Sequence, residues 1–415
     1  MTAATPSTDR PSRSSSRDDP AAIDEHTLAT PAFPFDAGPY ERFPAPLGRT
    51  DADLGHVRRR AVVAVMIAWV PLVVLATAEG LAIGRNPRES FLLDVAVHAR
   101  YLVALPLLII AEYVALPKLG VIVRHFIASG LVPPGEHARY AALMESSRRL
   151  LSSPLVAVVI LVLAYTSTLR LSDLVHPTSI DTWLAPIVDG VRTMSLAGKW
   201  RIFVSQPLYV TVLGLWVWRA VVWGRFLYKA TRLDLRLIAP HPDHMGGLRF
   251  VNGSARAFPM VAFAIATGVA GNVAQRVLID RQSVTDYLQS IVMTIVLTIA
   301  LFMGPLFALH GPLGRLRTVG MMRYGALATD VGARFERQWL RSGEAVTDDS
   351  LHASDFSALA DLNAIAANVA DIRFVPIDMR GAERLILATC LPFVPLALAI
   401  MPFAEILKFA ASVLL

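Results

Sequence analysis

RRRAVVAVMIAWVPLVVLATAEGLAIGR, residues 58–85, decides the fold. Three consecutive arginines lead into a run that is apolar except for Glu79 and closes at Arg85. A helix needs about 20 apolar residues to cross a hydrocarbon layer roughly 30 Å thick, and this run is long enough. The pattern recurs down the chain. Uncharged stretches of comparable length fill the intervals from Arg149 to Arg170, Arg256 to Arg276 and Arg384 to Glu405. Counted together, seven runs qualify, at about residues 61–84, 100–116, 154–169, 202–224, 257–275, 289–309 and 385–404. The expected fold is therefore an all-α polytopic transmembrane helix bundle of about seven spans, with six as the alternative.

Composition supports this class and excludes others. Hydrophobic residues make up 54% of the chain and charged residues 17%, a balance that a water-exposed surface does not accommodate. The net charge of +6 sits mainly at the ends of apolar runs, not on one polar face with interleaved aromatics. Basic residues so placed mark membrane topology, so the expected partner is the lipid bilayer and not nucleic acid. The single cysteine, Cys390, excludes an intrachain disulfide and a thiolate zinc site, and its expected role is packing within the last span.

Residues 1–57 are rich in Pro, Ser, Thr and Asp and read as a disordered cytoplasmic tail, with no leader-like apolar stretch ahead of residue 61. Residues 58–309 form the bundle of six spans, interrupted by an amphipathic helix at 136–151 and an inner loop at 225–256. In the first of these, Tyr140, Leu143 and Leu150 lie near one face and Arg139, Glu145, Arg148 and Arg149 elsewhere, as for a helix at the membrane interface. Residues 310–384 read as a cytoplasmic helical hairpin, because Tyr324, Ala328, Val331, Phe335 and Trp339 recur at helical spacing, and so do Leu359, Leu362, Ala366, Val369 and Ile372. Residues 385–415 supply the last span and a short tail. Threading the spans alternately places over twice as many basic residues on one side as on the other, which puts the N-terminus inside and the C-terminus outside. A homo-oligomer and a cytoplasmic partner at the 320–372 hairpin remain open expectations.

Ionisable groups inside hydrocarbon cost several kcal/mol unless paired or hydrated, so they are the strongest functional pointers in such a chain. Glu112 lies six residues before Lys118 in the second span, and Arg219 lies six before Arg225 in the fourth. Equal offsets from the boundary put them at similar depth, and an intramembrane Glu112–Arg219 pair is expected. A second polar cluster, Glu79, Asp94, His98 and Arg100, gathers near the opposite surface, with a Glu79–Arg100 pair as one expectation and snorkelling to the interface as the other. Prolines stand in or beside every span, at Pro71, Pro106, Pro154, Pro207, Pro259, Pro305 and Pro392. They are tolerated where neighbouring helices satisfy the carbonyls they free. In the fifth span Ala264, Gly268 and Gly271 form a small-residue face that lets another helix come close.

The connection A-P-H-P-D-H-M-G-G-L, residues 239–248, is the remaining concentration. His241, Asp243 and His244 are metal-ligand types, and Gly246 and Gly247 with Arg249 offer a weak phosphate cradle. A glycine-rich turn that caps the next segment is the simpler expectation, since no H-E-x-x-H spacing is present. No cofactor is expected. No Walker motif, no G-x-S-x-G and no mid-span histidine occurs, and the last run has no lysine.

The words P-H-P-D-x-x-G-G-L and H-A-R-Y-L-V-A-L-P-L-L-I-I-A-E, residues 98–112, are similar to those of uncharacterised bacterial multi-pass inner-membrane proteins. The resemblance implies a bacterial inner-membrane location and carries no activity. From the residues themselves, the first functional expectation is a channel or secondary-transporter-like protein with a polar path through kinked helices. The alternatives are a membrane-embedded enzyme with a metal or phosphate site on the cytoplasmic face, and a scaffold that recruits partners.

Overall fold

The apolar runs become helices in a computed structural model that describes residues 54–175, 182–188, 191–340, 354–375 and 379–400. Among the described residues, six helices are long and apolar enough to cross a membrane: α1 (Leu54–Ala78), α2 (Val95–Ala128), α5 (Leu196–Ala230), α6 (Arg249–Ile279), α7 (Val284–Leu340) and α9 (Gly381–Leu398). A seventh crossing is available if α3 (His137–Leu151) and α4 (Pro154–Val175) act together as one span bent by 40°. A further helix, α8 (Ser354–Ala370), packs on α7. A two-residue antiparallel hairpin, Ile187–Val188 with Val191–Arg192, decorates the connection from α4 to α5. The chain is an all-α polytopic bundle, a multi-pass membrane protein.

Most of these helices run past the apolar stretches that announce them. The first begins at Leu54, so the last residues assigned to the tail are helical, and Val57 among them is buried. The second continues to Ala128, carrying Lys118 and Arg124, and the fourth apolar run extends to Ala230, which shortens the expected 225–256 loop at both ends. Charge marks where a helix leaves hydrocarbon, whereas backbone hydrogen bonding carries it on into water. The extreme case is α7, whose 57 residues would span about 85 Å at 1.5 Å per residue, far beyond any bilayer. Its second half must project from the membrane, and there it meets α8.

Aromatic side chains fill the centre. Trp216, Trp223, Tyr101, Phe126, Phe226, Phe258 and Phe302 are fully buried between α2, α5, α6 and α7. Phe258 stacks on Phe302 at 4.5 Å and Trp223 on Phe226 at 5.5 Å, both near-parallel. The small face of α6 is where two neighbours approach: a side chain at Gly271 would overlap Ala99 of α2, and one at Gly268 would overlap the Tyr209 hydroxyl of α5.

Three prolines explain a set of interhelical bonds. A proline has no N–H, so the carbonyl four residues earlier loses its helical donor. Pro71 frees Ile67, whose carbonyl accepts from Trp200 Nε1 at 3.0 Å; Pro154 frees Leu150, which accepts from Trp218 Nε1 at 3.2 Å; Pro207 frees Phe203, which accepts from the Tyr165 hydroxyl at 2.8 Å. Each orphaned carbonyl is thus taken by the polar tip of an aromatic side chain from another helix, and the kinks become cross-links. Wide π-helical turns precede Pro106 and Pro207, at Ala99–Ala104 and Arg201–Ser205, and a third, Gln275–Ile279, ends α6.

The amphipathic segment buries its apolar face against protein. In α3 the buried stripe is Tyr140, Leu143, Ser147 and Leu151. Tyr140 donates to the Val123 carbonyl of α2 at 2.8 Å and packs edge-on to Phe226 of α5. The apolar stripe of the helix expected at the interface thus meets α2 and α5. In the hairpin, Tyr324, Ala328, Val331, Phe335 and Trp339 are part-buried, and Leu362, Val369 and Ile372 are buried. Arg317 Nε donates to the Ala370 carbonyl at 3.0 Å, tying the two arms. The expected tail over residues 1–53, the hairpin turn within 341–353 and the end of the last span beyond 400 lie outside the described residues.

Candidate functional site

Two polar levels occur along the α2–α5 contact. At the first, Glu112 Oε1 lies 2.8 Å from Arg219 Nη2, and its Oε2 lies 2.9 Å from Arg60 Nη1 of α1. One carboxylate thus joins three helices. Arg219 is nearly fully buried, its guanidinium lies 4.9 Å from the Trp216 ring, and its Nη1 has no hydrogen-bond partner among the described residues. Two guanidinium groups share one carboxylate. Arg58 and Arg59 stay exposed while Arg60 turns inward, because one residue in the triplet faces the bundle at the helix start.

The second level centres on Arg100, which is 6% exposed. Its Nη1 donates to Gln206 Oε1 at 2.9 Å and its Nη2 to Asn272 Oδ1 at 2.8 Å, while its guanidinium carbon lies 5.7 Å from the Tyr209 ring centre. The Tyr101 hydroxyl donates to the same Gln206 oxygen at 3.0 Å. This level joins α2, α5 and α6, and three of the four π-helical turns among the described residues fall beside it: Arg100 and Tyr101 lie on the first, Gln206 directly after the second, and Asn272 three residues before the third, while the fourth, Glu336–Leu340, lies at the far end of α7. π-turns rotate the side chains that follow them and recur at functional positions. Arg100 to Glu112 on α2, and Gln206 to Arg219 on α5, both amount to about 18–20 Å at 1.5 Å per residue. Between the levels come Leu105, Leu108, Val212 and Trp216, all buried, with Trp216 Nε1 donating to the Leu108 carbonyl at 2.8 Å. An apolar layer separates two charged ones.

The expected Glu79–Arg100 pair does not form. Glu79 instead accepts from the backbone N–H groups of Leu196 at 2.9 Å and Ala197 at 3.4 Å, capping the start of α5 together with Ser195. A helix start offers unpaired donors and partial positive charge, a better partner for a surface carboxylate than a buried guanidinium. Asp94 caps its own helix through Val97 N–H and accepts from Trp183 Nε1 at 2.9 Å. His98 Nδ1 accepts from Trp69 Nε1 at 3.0 Å, which places the ring proton on Nε2, 3.1 Å from the Leu92 carbonyl. The cluster of four is therefore three local caps and clamps plus one buried arginine.

The 239–248 connection is a stapled turn. Asp243 Oδ1 accepts from Met245 N–H at 2.8 Å and Gly247 N–H at 3.1 Å, and Oδ2 accepts from Arg249 N–H at 3.1 Å. His241 Nδ1 lies 2.8 Å from Asp243 Oδ1 and 3.2 Å from the Asp243 amide; neutral, it accepts from the amide, and protonated, it donates to the carboxylate. Burial raises the Asp243 pKa, but the three backbone donors and His241 outweigh it and hold the carboxyl below its ordinary value. His244, Gly246 and Gly247 adopt left-handed backbone, and a side chain at Gly246 would overlap Leu316 of α7. Among the described residues no three His, Cys, Asp or Glu side chains come together as a metal ion requires. His241, Asp243 and His244 are not gathered in that way, and the Asp243 oxygens accept from the loop's own amides. Of the Gly246–Gly247–Arg249 cradle, the Gly247 and Arg249 amides point at Asp243. What the turn does is dock on the hairpin, through Arg373 N–H to the His244 carbonyl at 2.9 Å and a small core of Ala239, Val369 and Ile372. Beside it, Leu237, Ile238, Leu316, Gly320, Arg323 and Tyr324 line an open groove of about 490 Å³.

Sequence reasoning missed Arg60, Gln206 and Asn272. Arg60 reads as a topology marker, although its place at the start of a span antiparallel to the second puts it at the depth of Glu112. Gln206 and Asn272 are neutral amides inside apolar runs, a signal for interhelical hydrogen bonding that attention to ionisable groups alone passes over. The chain matches no known protein-family model, no curated protein and no solved structure.

Proposed function

We propose that the protein moves a small solute across the membrane, as a channel or secondary-transporter-like protein, along the α2–α5 contact. The observation that carries the reading is the buried Arg60–Glu112–Arg219 cluster, with a second buried charge, Arg100, on the same helix pair and an apolar layer between. Ionisable groups buried this way are expensive in hydrocarbon and mark solute paths. Two polar levels separated by a closed apolar layer match a path occluded in the middle, and the π-turns beside Arg100 supply helix segments able to shift register. The orientation that goes with it has the N-terminus and the α7–α8 hairpin in the cytoplasm, and the location is a bacterial inner membrane.

Purified full-length protein in liposomes, assayed for flux of small cations and anions in turn, tests this. Flux through wild type that changes in Glu112→Gln and is partly restored in Glu112→Asp is the expected result. Absence of flux from monodisperse wild-type protein would overturn the reading, and identical flux in all three proteins would remove Glu112 from the path.

A further inference from the structure

We infer that the solute is a small monovalent anion and that Arg100 is its binding site at one end of the path; this rests on the transport reading above. Arg100 is buried, yet its hydrogen bonds go to neutral amide oxygens of Gln206 and Asn272, and its ring contact is with Tyr209. Among the described residues no carboxylate lies within 4.0 Å of it. The nearest acidic residue in sequence, Asp94, has its two oxygens directed to Val97 N–H and Trp183 Nε1. Neutral dipoles orient a guanidinium without cancelling its charge, and an uncompensated buried cation is costly. The contrast with Arg219 is instructive: at that level the fold supplies Glu112, whereas at the Arg100 level it supplies two amides and two phenol rings. A guanidinium has five N–H donors, and the two amide bonds leave others for a ligand. A diffusible anion provides the missing charge.

The other level adds a second buried arginine on the same helix pair: Arg219 Nη1 is buried and, among the described residues, without an acceptor. Arginine-lined constrictions in a low-dielectric setting attract anions and exclude cations. The single uncompensated charge of Arg100 fits a monovalent ion.

Nitrate is a suitable probe because it is small, planar and matches a guanidinium edge. Titration calorimetry on the full-length protein in detergent is expected to show saturable nitrate binding. Gln206→Glu keeps an oxygen in the place that Arg100 and Tyr101 use and adds the counter-charge internally, so affinity is expected to fall at least about tenfold. Helical content and elution volume establish that the variant is folded. Absence of saturable binding to wild type, or equal affinity in a folded Gln206→Glu, would overturn the site. Should Gln206→Glu not fold, the wild-type titration and the reversal potential of liposome flux under a potassium nitrate gradient still decide: a potential following nitrate supports the inference, and one following potassium overturns the anion while leaving transport standing. Nitrate binding without flux would end the transport reading and leave Arg100 as an anion site.

Discussion

Glu112 holds two arginines from two other helices, so its charge matters more than its size. Glu112→Gln removes the carboxylate that Arg60 and Arg219 share, and the expected loss of stability is about 3–5 kcal/mol, read as a lower unfolding midpoint in detergent. Glu112→Asp, which keeps the charge and retracts it, should lose less; equal losses would mean that packing and not charge is at stake. Asp243 makes a different prediction. Its folded pKa is depressed, so its contribution is fully present above the unfolded value and is lost as pH falls through the folded one. Proteolysis of the α7–α8 hairpin should therefore speed up below the ordinary Asp range in wild type, whereas Asp243→Ala should be cleaved fast at neutral pH already. The Glu112–Arg219 pairing was legible in the sequence because equal offsets from charged boundaries fix depth on helices that run in the same direction. The triad was not, because Arg60 looks like one of three equivalent topology signals until the helix start shows which of them faces inward.

Proline positions and aromatic tips act together on the helices. Tyr165→Phe removes the donor for the Phe203 carbonyl and should cost about 1 kcal/mol in wild type. In Pro207→Ala the backbone regains its own donor, and the same change should cost close to nothing. A double-mutant cycle measures the difference, and independent, additive effects would contradict the cross-link account. Gly268→Ala pushes a methyl group into the Tyr209 hydroxyl, whose ring lies against Arg100, and a loss of about 1–3 kcal/mol is expected from thermal unfolding. The apolar runs gave the places and order of the spans, since each must meet the length of the bilayer, but not whether α3 and α4 make a seventh. They gave neither the ends nor the π-turns: α2, α5 and α7 continue as helices in regions whose charges cannot stay in hydrocarbon, and a one-residue change in winding has no signature in hydropathy. The amphipathic stripe of α3 was legible too, but periodicity does not say whether lipid or another helix covers it.

As a whole, the molecule is a membrane bundle with one helix, α7, long enough to leave it and carry a small second core. The topology predicts that Pro242, in the stapled turn, and Asp286, at the start of α7, face opposite sides. In a Cys390→Ser background, Pro242→Cys and Asp286→Cys should each label from one side only, and from different sides in right-side-out and inverted vesicles. The central claim is that water and solute reach the layer between the two polar levels. Val212 lies in that layer on α5, buried between Gln206 and Arg219. Val212→Cys in the cysteine-free protein, reconstituted in liposomes and exposed to a small charged thiosulfonate reagent, is the most direct test. The account predicts modification during flux and protection when the transported ion is in excess. A cysteine at 212 that never reacts in folded, reconstituted protein would contradict it and make the two charged levels structural clamps.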